Sequence, residues 1–151
     1  MDAEPKLSRE MFIQAMRDRM ETLLGQVADA VNEAPPGHVI SGSEEQVRDL
    51  FADLRREVYD KAVQMRTDAA EAAFPPPKDP VTGQTKRNKG RQDFTVLSVN
   101  GRLRIRRRRW HSPGDGTTTP LDAFLDLAGR TDRQPGRPRN VLPAQRRRQE
   151  L

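Results

Sequence analysis

Six arginines crowd the ten residues from Asn100 to Arg109, and four of them, Arg102, Arg104, Arg106 and Arg108, fall at alternate positions. Alternate side chains share one face of a β-strand, so these four guanidiniums form a stripe with a repeat of about 7 Å. A guanidinium stays charged at any ordinary pH and donates in a planar fork. That chemistry suits phosphates, and it serves neither as a nucleophile nor as a proton shuttle. Lys86, Arg87, Lys89 and Arg91 lie just before the stripe, and Trp110, with a ring able to stack on a base, directly follows it. From Lys86 to Arg109 there are ten basic side chains against one acid, Asp93. An edge strand that uses charge only to avoid aggregation needs one or two such residues. The excess favours binding, and the expected DNA contacts are Lys86, Arg87, Lys89, Arg91, Arg102, Arg104, Arg106, Arg108 and Trp110.

Residues for covalent, acid–base or metal chemistry are scarce. The chain has no cysteine, which excludes disulfides, thiolate metal sites and cysteine nucleophiles. Its two histidines, His38 in a Pro/Gly loop and His111 after the arginines, stand in no acid–nucleophile pattern. Gly114-Asp115-Gly116 is too short and wrongly placed for a phosphate loop. No catalytic residue, metal, cofactor or small-molecule substrate is expected, and the protein reads as a non-enzyme.

Holding the stripe in place falls to a β-hairpin. Two strand-forming runs flank Asn100-Gly101, the pair favoured in two-residue turns whose central residues both take positive φ. That turn sets Val99 opposite Arg102, Leu97 opposite Arg104 and Val96 opposite Ile105. Phe94, Val96, Leu103 and Ile105 then share the apolar face. A two-stranded sheet is unstable alone, so a cover is needed. Thr119-Pro120-Leu121-Asp122 opens a short helix, with threonine as cap and proline first, whose Leu121, Phe124, Leu125 and Ala128 supply that cover before Gly129 ends it.

The first half reads as helix. Ser8 caps a run with apolar residues at Phe12, Ile13, Met16, Met20, Leu23, Leu24, Val27 and Val31, ended by Pro35-Pro36-Gly37. Ser43-Glu44-Glu45-Gln46 matches a capping box in front of a second stripe, Val47, Leu50, Phe51, Leu54, Val58, Ala62, Met65, Ala69 and Ala72. Pro75-Pro76-Pro77 stops it. The two form an antiparallel helical hairpin that buries little by itself, which points to self-association as a homodimer or to docking on another domain.

Charge divides the chain in the same place. Residues 1–74 hold 9 Lys+Arg against 15 Asp+Glu, and residues 75–151 hold 18 against 7, so a net −6 half precedes a net +11 half. An acidic region joined to a strongly basic one fits an interaction segment tied to a nucleic-acid-facing one. No apolar run approaches a membrane span and no signal peptide opens the chain, so the expected location is cytoplasmic. The fold class expected is α+β: a helical region over 1–74, a Pro-rich then basic linker over 75–92, a β-hairpin with a short helix over 93–130, and a disordered basic tail over 131–151.

The segment VLSVNGRLRIRRRRWHSPGDGTTTPLDAFLDLAGRT resembles a module that lies upstream of the catalytic region in insertion-sequence transposases of the ISKra type. The shared pattern is a helix ending in alanines (Ala69–Ala73), a basic linker, the Val96–Arg109 hairpin, the aromatic Trp110, and Pro120-Leu121-Asp122 opening a helix. It covers roughly residues 60–131. The resemblance implies DNA as partner, whether at element ends or without sequence preference. It also implies DDE-class catalysis on a later domain that this chain lacks, leaving a catalytically inactive fragment. Many relatives carry a cysteine-bearing stretch after the aromatic, where this chain has His111-Ser112-Pro113. Relatives also continue as helix where this chain turns to Arg, Pro and Gln after Thr131. Codons for Asp132–Leu151 can be chosen so that a one-base shift reads TVSLGVREMCCRLNGDGRSF, which looks like a family continuation. A frameshift after about Thr131 is therefore expected. The alternative is a stand-alone self-associating or partner-binding helical protein with no specific nucleic-acid role.

Overall fold

The computed structural model describes residues 4–130. Its elements run α1 (Arg9–Glu33), α2 (Glu44–Ala73), β1 (Arg87–Ser98), β2 (Gly101–Ser112), β3 (Gly116–Thr118) and α3 (Leu121–Phe124). The class is α+β, with two long helices ahead of an antiparallel sheet of order β1-β2-β3 and a short helix. The tail expected over 131–151 lies outside the described residues. Among the described residues the chain divides into two compact units, one of Leu7–Ala62 and one of residues 4–6 with 63–130. The boundary falls inside α2, so the helical region does not end as one body at residue 74.

The Leu7–Ala62 unit is a helical hairpin. Ser8 caps α1 as expected, its hydroxyl accepting from the Met11 N–H at 3.3 Å. Arg19 forks onto Glu57, with Nε 2.5 Å and Nη2 3.3 Å from the two carboxylate oxygens. Arg19 lies 14 residues before the end of α1 and Glu57 lies 13 residues after the start of α2. Positions nearly equidistant from the loop meet only when the helices run antiparallel. Leu23, Ala30 and Leu54 are buried in this unit.

The capping box does not form. The chain from Ile40 to Glu44 already turns helically, with Ser43 and Glu44 N–H both donating to the Ile40 carbonyl. Ser43 Oγ therefore donates back to the Val39 carbonyl at 2.6 Å, the i−4 bond open to a serine within a helical turn. A Cβ on Gly42 would stand 2.7 Å from the His38 carbonyl oxygen, so only glycine fits this loop.

In the second unit, Val96, Leu103, Ile105 and Leu127 form the core, and Val63, Phe94 and Leu125 pack against it. Each fully buried aliphatic side chain contributes about 1.5–3 kcal/mol. The apolar face of the hairpin is the expected one, while its register is not. Val96 pairs with Leu103, Phe94 with Ile105, and Ser98 with Gly101. Gly101 has φ 113°, but Asn100 stays out of the positive region that the expected turn demands. Ser98 Oγ accepts the Asn100 N–H at 3.2 Å and donates to the Gly101 carbonyl at 2.8 Å, which moves the turn one residue toward the N-terminus. Every pairing shifts by two residues, so each side chain keeps its face.

Residues 75–92 are not a linker. Arg87–Gln92 belong to β1, Lys78 bridges to Thr85, and Asp79 organises the turn between them. Asp79 Oδ1 accepts the Val81 and Thr82 N–H groups at 2.8 and 3.2 Å. β3 is also additional to the expected hairpin, pairing Trp110–Ser112 with Gly116–Thr118. The final helix is one turn long. Thr119 Oγ1 donates to Asp122 Oδ2 instead of capping the backbone, and Asp126 takes φ 48°. That reversal sends Leu127, and not Ala128, into the core.

Candidate nucleic-acid interface

The sheet has two chemically distinct faces. Leu97, Thr95, Asp93 and Arg91 of β1 stand opposite Arg102, Arg104, Arg106 and Arg108 of β2, and Trp110 continues the line opposite Asn88. Arg102, Arg104 and Arg106 are exposed, while Arg108 and Trp110 are partly buried. Alternation along β2 thus yields the expected arginine stripe, with the apolar core behind it.

Carboxylates hold part of this face. Arg106 Nε lies 2.6 Å from Asp93 Oδ1 in an exposed pair, the kind that contributes at most about 1 kcal/mol and exchanges readily for another anion. Arg91 donates to Asp68 at 3.1 Å and to Glu71 at 2.9 Å. Arg108 Nε is 3.7 Å from the same Glu71, whose side chain is 3% exposed. Arg106 thus sits in an exposed, exchangeable pair, whereas Arg91 and Arg108 are held at the buried Glu71.

Two expected contacts, Lys86 and Arg87, lie elsewhere, and a third, Lys89, sits at an irregularity of β1. Lys86 is buried, its side chain 1% exposed, with Nζ 2.5 Å from Asp115 Oδ2 and 3.2 Å from Thr118 Oγ1. It ties the start of β1 to β3 and is not available to a phosphate. Arg87 pairs with His111, which sets it on the opposite face from Arg102. Lys89 sits in a bulge between Asn88 and Arg91, where Gly90 has φ 87° and its N–H meets Asn88 Oδ1 at 2.8 Å. Arg87 and Lys89 are both exposed. The odd-numbered arginines turn inward. Arg107 forks onto Asp122 and lies 3.9 Å over the Phe94 ring, and Arg109 Nε is buried.

Sequence reasoning missed how α2 braces the face. The Gln64 side chain mimics a neighbouring strand: its Oε1 accepts the Arg106 N–H at 2.8 Å and its Nε2 donates to the Arg106 carbonyl at 3.0 Å. One step on, Glu71 Oε1 accepts the Arg108 N–H at 2.6 Å. These side chains occupy backbone groups of β2 that β1 leaves open. Thr67 and Ala70 are fully buried in the same stretch of α2, in place of the expected Ala69 and Ala72. Small residues there allow the helix to come close. The available signal was the polar line Gln64, Asp68, Glu71 at i, i+4, i+7 beside that small-residue row.

Asp79 is buried, 2% exposed. The neighbouring Ser112 hydroxyl and the Val81 and Thr82 N–H donors hold its carboxyl below the usual carboxylate range. Among the described residues, no group of three or more His, Cys, Asp or Glu could hold a metal ion. His111 Nδ1 lies 3.2 Å from Thr117 Oγ1, and His38 is exposed in the interhelical loop. An open hollow of about 430 Å³ in the helical hairpin, lined by Glu45, Asp49 and Asp53 among others, is acidic and unsuited to a polyanion. No helix among the described residues is long and apolar enough to cross a membrane. No family model, curated protein or solved structure matches the chain.

Proposed function

We propose that the protein binds the phosphate backbone of DNA through the exposed face of β1–β2, as the non-catalytic, pre-catalytic part of an ISKra-type transposase. The observation that carries the reading is the stripe Arg102, Arg104 and Arg106, all exposed on a face backed by a packed core. A rigid backing matters, because it holds the guanidiniums at fixed spacing before any anion arrives. Lys89, Arg91, Arg108 and Trp110 extend the contact, and Lys86 and Arg87 fall outside it. The stretch that resembles the transposase module, roughly 60–131, corresponds to the unit that begins at Val63. Phosphate contacts fix position and affinity without carrying sequence information, so binding is expected to DNA at element ends or elsewhere.

Salt is the direct probe. Each phosphate contact lowers log K by roughly 0.9 per log unit of salt. The triple variant Arg102→Glu, Arg104→Glu, Arg106→Glu is expected to lose binding to a 30-base-pair duplex and to reduce the salt slope by about 3. Unchanged binding at low salt overturns the reading. Sequencing the locus past the Gly129 codon tests the transposase origin: a shifted frame with spaced acids supports it, and its absence removes it.

A second reading has its own observation. Ile13, Met20, Leu24 and Val31 of α1 are exposed apolar residues, as expected of a helical protein that self-associates as a homodimer. Self-association through α1 is compatible with DNA binding, since it uses a different unit of the chain; the stand-alone alternative with no nucleic-acid role is not.

A further inference from the structure

α1 carries more apolar surface than its own hairpin uses. Leu23 and Ala30 are buried and Phe12 and Met16 are half-buried on one side. A second row remains open, with Ile13 53%, Met20 38%, Leu24 60% and Val31 39% exposed. At about 100° per residue, spacings of 7, 4 and 7 keep these four within an arc of roughly 40°. They form one continuous stripe along three-quarters of the helix.

The spacing is a palindrome centred on Thr22. A second α1 laid antiparallel about that point brings Ile13 against Val31 of the second copy and Met20 against Leu24. Each of the four apolar side chains then meets an apolar partner, and the contact is the same from both sides, as a two-fold interface requires. A foreign partner would need no such symmetry. Arg17, which interrupts the stripe, settles the direction. A parallel in-register pair stacks Arg17 on Arg17, like charge on like charge. The antiparallel pair parts the two Arg17 side chains by ten residues of helix, about 15 Å, and leaves each head in water. The two Glu21 side chains come near the two-fold axis, each four residues from an Arg17 on its own helix that offsets the repulsion.

The area is adequate for a modest dimer. The exposed fractions amount to nearly two whole aliphatic side chains, on the order of 300–350 Å² of apolar surface per copy. The smallest stable interfaces cover about 600 Å² per partner, a little over half of it apolar. From stripe, symmetry and area together we infer that α1 is a self-association surface, binding a second copy of this chain antiparallel with Ile13 opposite Val31 and Met20 opposite Leu24. The inference rests on the self-association reading and adds its surface, direction and register.

The absence of cysteine from the chain makes the test clean. Full-length Ile13→Cys and Val31→Cys variants are oxidised separately and as a mixture, at about 100 μM, well above the micromolar Kd typical of a contact this small. The expected result is a disulfide-linked pair from the mixture and little from either variant alone. Sedimentation of the wild type at the same concentration gives a dimer, and Leu24→Glu weakens it at least tenfold with helicity unchanged. Like-with-like crosslinking overturns the antiparallel register while self-association stands. A dimer that survives Leu24→Glu overturns the surface. A wild-type monomer at that concentration overturns both.

Discussion

Lys86 and Asp115 form an ion pair whose two members have different access to water. The lysine side chain is 1% exposed and the aspartate 38%. Removing the aspartate leaves a buried ammonium with Thr118 as hydrogen-bond partner and Asp79 as the nearby counter-charge, whereas removing the lysine leaves a carboxylate that water can reach. Asp115→Ala is therefore expected to cost about 3 kcal/mol and Lys86→Met less than about 1.5, read from urea midpoints at constant m. Equal losses would mean that Lys86 is hydrated in solution. Lysine 86 also shows what residue type alone conceals: a basic residue next to a basic cluster looks like a phosphate ligand, and only the return of β3 beside it creates its internal partner.

Asp79 gives a pH dependence with a definite sign. Its carboxyl lies below the ordinary value in the folded chain, through the Ser112 hydroxyl and the Val81 and Thr82 N–H groups. The stabilisation is present above the unfolded value of about 3.9 and is lost as pH falls from there through the folded value. Glu57, held low by Arg19, adds to the same loss. Asp79→Asn is expected to lower stability at pH 7 and to flatten the stability–pH curve below about pH 4. Thermal melts between pH 2.5 and 7 check this, and an unaltered acid limb would contradict it.

At the scale of elements, the arginine face depends on α2 as much as on its own strands. Gln64 and Glu71 occupy the Arg106 and Arg108 backbone groups that would otherwise present an open edge. Gln64→Ala is expected to cost about 1–2 kcal/mol. It should also speed hydrogen exchange at the Arg106 amide more than at Leu103, where the core is untouched. Uniform acceleration would place the effect in global stability and not at this edge.

Much of this architecture was legible in the sequence because periodicity carries it. Three-four spacing gave both long helices, and period-two alternation gave the two faces of the hairpin. Features that depend on contacts distant in sequence were not legible. The turn shifted because a Ser98 hydroxyl competes with the preference of Asn-Gly, and Ser43 failed as a cap because the loop before it already coils. The Pro75–Gln92 stretch looked like a linker because its organisation comes from one buried carboxylate and one buried ammonium. Neither leaves a hydrophobic pattern. In the candidate site, the stripe Arg102–Arg108 kept its face, while Lys86 and Arg87 left it through burial and strand parity.

Over the whole molecule, charge separates with the compact units. Residues 7–62 hold 7 Lys+Arg against 11 Asp+Glu, a net of −4, and the remaining residues hold 20 against 11, a net of +9. Long-range attraction to a polyanion therefore belongs to the unit that carries the arginine face, and the acidic helical hairpin opposes indiscriminate adsorption over its own surface. The opposition weakens with salt on the scale of the Debye length, about 10 Å at 0.1 M.

DNA binding by the arginine face, and not by net charge, is what the proposed function requires. The most direct test compares two variants with the same charge change: Glu at Arg102, Arg104 and Arg106, and Glu at the exposed Arg9, Arg48 and Arg55 of the helical hairpin. Fluorescence anisotropy with a 30-base-pair duplex is followed across a salt series. The first variant is expected to lose at least a hundredfold in affinity and to show a shallower salt slope, and the second to lose less than about fivefold. Equal losses, or no binding by the unaltered protein at low salt, would contradict the proposed function.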